Sequence, residues 1–244
     1  YVAADNGTNE NHRMYVLQNT SANPLNDQWE FKGKLATPSD KWAIDGNVFE
    51  YNNQRYMAWS GWEGDANGQQ DLFIAKMSDP LTLSGKRVKI SSPTYPWERN
   101  GDLGTAGNPE QVYVNEGPQF LEHNGKLFIV FSASGCWTDF YALGLLSLEG
   151  TDPMDASAWT KKEEPIFQQT PENSVYAPGH NSFFKSPDGT EDWILYHANS
   201  NPGEGCGNKR APRMQRLYWQ EDGTPFIGTP LPTSVILPIP SENE

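Results

Sequence analysis

The sequence predicts an all-β protein built from a repeated antiparallel sheet, and three observations carry that prediction. Short alternating or apolar runs are bounded throughout by Gly, Asn, Asp and Pro, with 22 Gly and 19 Pro among 244 residues, and almost no stretch has helical 3.6-residue spacing. Three segments begin alike: Asp45-Gly46-Asn47-Val48-Phe49, Glu116-Gly117-Pro118-Gln119-Phe120 and Gly179-His180-Asn181-Ser182-Phe183. Each is followed by the same succession of turn, aromatic-rich strand and further strand, as in a propeller blade.

Taken in order, Tyr1-Val2-Ala3-Ala4-Asp5-Asn6-Gly7 lines up with Met57-Ala58-Trp59-Ser60-Gly61 and reads as the end of a second strand. Arg13 to Gln18 is then a third strand and Trp29 to Lys34 a fourth. The first full repeat starts at Asp45, turns at Asn52-Asn53, and continues through Gln54 to Ser60 and Asp71 to Met77. The next starts at Glu116, turns at Asn124-Gly125, and continues through Lys126 to Ser132 and Tyr141 to Leu148. The last starts near Gly179, turns at Asp188-Gly189, and continues through Glu191 to His197 and Met214 to Gln220. The chain thus represents about four blades. A β-sandwich with accidental similarity is the alternative, and the propeller is preferred because strand, turn, strand and loop recur in one order.

Lys and Arg number 18 against 31 Asp and Glu, a net charge of −13. That acidity, with no basic cluster longer than Lys161-Lys162 or Lys209-Arg210, argues against nucleic-acid binding. No apolar run approaches the ~18 residues of a membrane helix. The first residue is Tyr1, and the sequence is expected to continue upstream of it. Cys136 and Cys206 lie in Gly-rich loops that suit a bridge, although sequence alone leaves their pairing open. Asn6-Gly7-Thr8 and Asn19-Thr20-Ser21 are glycosylation sequons. With the acidic balance, these features favour secretion to the extracellular space.

In a propeller the innermost strands line the central axis, so the heads of successive first strands converge on one mouth. Those positions hold Asp45, Glu116 and His180. Two carboxylates and an imidazole around one funnel suit glycosidic hydrolysis, where one acid protonates the leaving oxygen and another carboxylate polarises water. Asp-Gly and Glu-Gly pairs are also common turns, so the repeat register carries the argument.

The strings Trp42-Ala43-Ile44-Asp45-Gly46, Val114-Asn115-Glu116-Gly117-Pro118 and Ala177-Pro178-Gly179-His180-Asn181-Ser182 resemble those of glycoside hydrolase family 43, in its α-L-arabinofuranosidase-like branch. Ser134-Gly135-Cys136-Trp137 and Gly228-Thr229-Pro230 fit as well, so the resemblance runs over the whole chain. It implies a five-bladed propeller that cleaves glycosidic bonds with inversion, through an Asp base, a Glu acid and a second Asp that tunes the acid. Carried over, Glu116 matches the general acid and Asp45 the tuning Asp. A Glu beside other carboxylates in a cleft is expected to titrate high, as an acid must. His180 resembles the axial histidine that contacts a central water or calcium ion in relatives; a purely structural histidine is the competing reading. Arg213 resembles the substrate-contacting Arg, against an ordinary surface Arg. The family's base lies at the head of the first blade, upstream of Tyr1, so no residue here is assigned as base and Asp5 is not nominated. The expected unit is one propeller domain over 1–244, N-terminally incomplete; either a separate N-terminal segment supplies the base, or the chain is an inactive remnant.

Trp59 is expected in the core, while Trp62 and Trp137, on loops, are candidates to stack on sugar. His12, His123 and His197 have no ligand spacing, and His123 reads as a solvated turn residue. The expected activity is removal of terminal α-L-arabinofuranosyl groups from plant arabinan or arabinoxylan, with no cofactor in the chemistry and a structural calcium ion at the axis. Alternatives are a non-catalytic carbohydrate-binding propeller or, within the family, a β-xylosidase or endo-arabinanase.

Overall fold

The structure, a computed structural model, describes residues 1–26, 28–101 and 111–242. Fifteen strands form among them, with short 3-10 turns but no α-helix, and no helix is long and apolar enough to cross a membrane. The first sheet holds β1 (Val2–Ala4), β2 (Arg13–Asn19) and β3 (Trp29–Lys34). The second holds β4 (Ala43–Tyr51), β5 (Gln54–Gly61), β6 (Gln69–Asp79) and β7 (Thr82–Ser91). In the third are β8 (Tyr113–His123), β9 (Lys126–Ala133), β10 (Ala142–Leu148) and β11 (Trp159–Lys161). The fourth has β12 (Tyr176–Lys185), β13 (Asp192–Asn199), β14 (Ala211–Trp219) and β15 (Pro225–Phe226).

Within each sheet, strands pair antiparallel in sequence order, while a short parallel contact of β6 with β8 links the second and third sheets. This is a β-propeller with four sheets as blades among the described residues, the fold class the repeat predicts.

Alternation along the inner strands explains why the blades stack. In β5, Tyr56 and Ala58 face the third sheet, packing with Ile129, Phe131 and Leu146, while Met57 and Trp59 face the first, packing with Met14 and Val16. In β9, Leu127, Ile129, Phe131 and Ala133 face the second sheet, while Phe128 and Val130 face the fourth, against Ile194, Tyr196 and Leu217. A strand buried on both faces reads as a continuous apolar run, which is what Leu127 to Phe131 is. The hairpin turns follow their residues. Asn52 and Asn53 both take positive φ, as do Asn124 and Gly125, the signature of the turn that matches strand twist. Asp188-Gly189 instead sits in a wider loop closed by Ser186 and Glu191, because only Gly189 takes positive φ there.

Candidate active site

Each inner strand is interrupted at the same place. The pairing register breaks between Ile44 and Asn47, between Glu116 and Gln119, and between Gly179 and Ser182. At these bulges Asp45, Gly117 and His180 have φ of 59°, 57° and 48°. A left-handed residue inside a strand re-aims the neighbouring side chains, which is how bulges serve active sites. The repeat seen in sequence is therefore a repeated bulge, and it brings Asp45, Glu116 and His180 together.

The His180 ring lies between the two carboxylates, with Nε2 3.7 Å from Asp45 Oδ1 and Nδ1 3.8 Å from Glu116 Oε1. Gly117 N donates to Asp45 Oδ2 at 3.1 Å, tying the second sheet to the third. Tyr141 donates its hydroxyl to Glu116 Oε1 at 2.6 Å, and the tyrosine oxygen lies 3.2 Å from His180 Nδ1. His180 N donates to Ser132 Oγ at 2.7 Å. Close approach demands glycine at two points: a Cβ on Gly179 would lie 2.3 Å from the Tyr141 ring, and one on Gly117 would press on His180 at 3.3 Å.

Burial and charge set the proton affinities. Burial pushes Asp45 up to about 6, opposed by the His180 charge. Burial alone would lower His180, but the carboxylates outweigh it and raise the imidazole to about 9. For Glu116 burial also pushes upward, yet contact with His180 and the Tyr141 hydroxyl prevails and holds the carboxyl below its ordinary value. This corrects the expectation that Glu116 titrates high: burial opposes its anion, but the neighbouring imidazolium and the Tyr141 hydroxyl together stabilise it more. Tyr141 is pushed well above its usual value by burial and by Glu116, so it remains a neutral donor. His197 stacks on Tyr141 with ring centroids 5.7 Å apart, and burial with the Arg210 charge lowers it to about 4.

The remaining sequence candidates divide. Cys136 and Cys206 are joined in a disulfide, Cα atoms 5.3 Å apart, which pins the loop after β9 to the loop after β13. Trp59 is core, 3% exposed. Trp62 is corrected as a sugar platform: it is 1% exposed and stacked on Trp42 with centroids 4.8 Å apart, so its faces are covered. Trp137 is half-buried and lies against Gly135. Arg213 pairs opposite Tyr196 and is buried, donating Nη2 to Asn199 O and Ser200 Oγ, while its Nε and Nη1 have no hydrogen-bond partner among the described residues. Arg210, missed in sequence, is the arginine at the mouth, 3.1 Å from His197 Nε2. His123 stacks on Trp219 at 4.0 Å rather than standing in solvent. Asp5 pairs with His12 at 3.1 Å.

The described side chains at the axis do not by themselves make up a calcium site. Calcium takes roughly six to eight oxygen ligands. Among the described residues no three His, Cys, Asp or Glu side chains compose a metal site. Of the carboxylate oxygens beside His180, Glu116 Oε1 is already engaged by Tyr141.

Fold and site together define a propeller whose mouth carries an acidic pair bridged by histidine, a design for acid–base work on a polar ligand. The model for glycosyl hydrolases family 43 matches residues 1–225, and the chain belongs to that family. It is 39% identical over 229 residues to an extracellular exo-α-(1→5)-L-arabinofuranosidase of Streptomyces avermitilis, covering 91% of this chain and 45% of that protein. It is 37% identical over 229 residues to α-L-arabinofuranosidase 43 of Humicola insolens, covering 90% and 45%. The crystal structure of an α-L-arabinofuranosidase from Lactobacillus brevis matches with a TM-score of 0.81 and 34% identity, covering 92% of this chain and 68% of that one. The chain thus spans about half the length of the curated relatives it matches.

Proposed function

We propose that this chain forms most of the catalytic propeller of an extracellular, inverting glycoside hydrolase that removes terminal α-L-arabinofuranosyl groups from plant arabinan or arabinoxylan. The observation that carries it is the convergence of Asp45 and Glu116 on one imidazole at the mouth, in a chain whose relatives are named arabinofuranosidases. Glu116 is the general acid and Asp45 tunes it. The carboxylate that activates water comes from outside the described residues, from a segment that sets an Asp at another strand head.

Acid catalysis needs a proton on Glu116, and the contacts around it suggest how one arrives. With Glu116 ionised, the single Tyr141 proton is given to Glu116, so the Tyr141 oxygen faces a protonated His180 Nδ1. Shifting both protons one place leaves Glu116 protonated, donating to Tyr141, and His180 neutral. A sugar filling the mouth displaces water and disfavours charge there, which favours the second arrangement. Arg210 is placed to donate to sugar hydroxyls.

A non-catalytic carbohydrate-binding propeller is the second reading, favoured by one observation, the depressed proton affinity of Glu116 in the free protein. One comparison separates them. In the full-length protein, Glu116→Gln is expected to lower arabino-oligosaccharide turnover by about 10²- to 10⁴-fold while calorimetry still detects sugar binding. Full retention of turnover would overturn the assignment of Glu116, and binding without turnover in the parent protein would favour the second reading.

A further inference from the structure

We propose that Glu98 is a positioning residue for Glu116, acting through Asn115, the residue that precedes it in β8. The proposal rests on the reading of Glu116 as the acid.

Glu98 ends the 3-10 turn Pro96–Glu98 on the connection from β7 to β8, and its side chain is fully buried. Its carboxylate accepts from Thr94 N and Tyr95 N, both at 2.8 Å, from Asn115 Nδ2 at 3.0 Å, and from Lys161 Nζ at 2.8 and 2.9 Å. Lys161 belongs to β11 and also donates to Ser92 O at 2.6 Å. Asn115 is itself fully buried. Its Oδ1 accepts from Ser91 Oγ at 2.7 Å, and its main-chain oxygen accepts from Ser60 Oγ at 2.9 Å. Groups from β5, β7, the 3-10 turn and β11 therefore converge, directly or through Glu98, on this one residue.

Two physical points give this convergence a purpose. A buried ion pair is weak evidence for stability, since desolvation offsets much of its attraction, so Glu98 and Lys161 call for an account in terms of orientation. The pairing of β8 with β9 holds Asn115 and Glu116 but breaks just after Glu116, so the strand ladder supports the acid from one side only. Side-chain anchors add to it: Asn115 is held on one side of Glu116, and Gly117 N is held by Asp45 on the other. Because side chains alternate along a strand, Asn115 points away from the mouth, and the network acts without touching substrate.

The test varies the leaving group in the full-length protein. On arabino-oligosaccharides, where the departing oxygen needs a proton, Glu98→Ala is expected to lower kcat by about 10- to 100-fold with KM nearly unchanged. On 2,4-dinitrophenyl α-L-arabinofuranoside, which leaves without a proton, the same variant is expected to stay within about two-fold of the parent. Glu98→Gln, which keeps the shape and an accepting oxygen, recovers most of the loss. Equal losses on both substrates, or no loss on either, would overturn the proposal. If Glu98→Ala does not fold, Ser91→Ala, which removes only the hydroxyl given to Asn115, decides on the same comparison. Glu116→Gln assayed alongside separates the two failures: if it keeps full oligosaccharide turnover, the glycosidase reading falls, and if it alone loses turnover, the role of Glu98 falls.

Discussion

His180 holds its proton because two carboxylates flank it, and that has a measurable consequence for stability. Its folded pKa of about 9 lies above the ordinary imidazole value near 6.5, so the folded state binds the proton more tightly than the unfolded chain. The stabilisation is complete below about pH 6.5 and is lost as pH rises through about 9. Asp45 acts in the same direction over a lower window, because its pKa is raised to about 6 and ionising it opposes folding as pH climbs from about 4 to 6. Thermal unfolding of the parent and His180→Asn across pH 6 to 10 checks the first point. The stability difference between them is expected to shrink as pH rises from about 6.5 through about 9, and a difference independent of pH would contradict it.

At the same scale, Gly179 is small because the Tyr141 ring occupies the space a Cβ would need. Gly179→Ala should destabilise the fold by about 1–3 kcal/mol through overpacking, measured by denaturant unfolding, and should disturb the hydrogen bond from Tyr141 to Glu116.

Among the elements, β9 depends on both neighbouring sheets, since its two faces fill the interfaces on either side of the third sheet. Ile129 is fully buried there, and Ile129→Ala is expected to remove about 2–5 kcal/mol by transfer and cavity terms, again read by denaturant unfolding. The strands were legible in sequence because their signals are local: Leu127 to Phe131 is a continuous apolar run, and Asn124-Gly125 can hardly do other than turn. What lies between the strands was less legible. The common start at Asp45, Glu116 and His180 announced equivalent positions, but the bulge that aims them is a backbone event with no residue signature beyond a neighbouring glycine. Arg210 was missed because it lies on the loop before β14, where no strand period marks it, and its place at the mouth depends on meeting His197. Trp62 looked like a loop aromatic until Trp42, twenty residues upstream, covered it. Tyr141 carried no motif of its own, since its role depends on meeting Glu116 across two strands.

Across the whole molecule, the mouth is assembled from loops of different blades, and covalent and polar links hold them in place. The Cys136–Cys206 disulfide spans 70 residues and joins the third blade to the fourth. Closing a loop of that length stabilises a fold by roughly 2–4 kcal/mol, so reduction should lower the denaturant midpoint accordingly, and an unchanged midpoint would show that the loops are held by other contacts. Asp139 reinforces the same junction by accepting from Gly203 N at 2.8 Å. The links between Asp45 and Gly117 and between Tyr141 and Glu116 then bring the second and third blades to one point on the axis.

The central claim, that this point is the acid side of an inverting glycosidase site, is tested most directly by the anomer that leaves it. Proton NMR of the full-length protein acting on an α-1,5-linked arabino-oligosaccharide, recorded before the sugar mutarotates, should show β-arabinose first, and Glu116→Gln should lose that signal. First release of the α-anomer, or undiminished release by Glu116→Gln, would contradict the account.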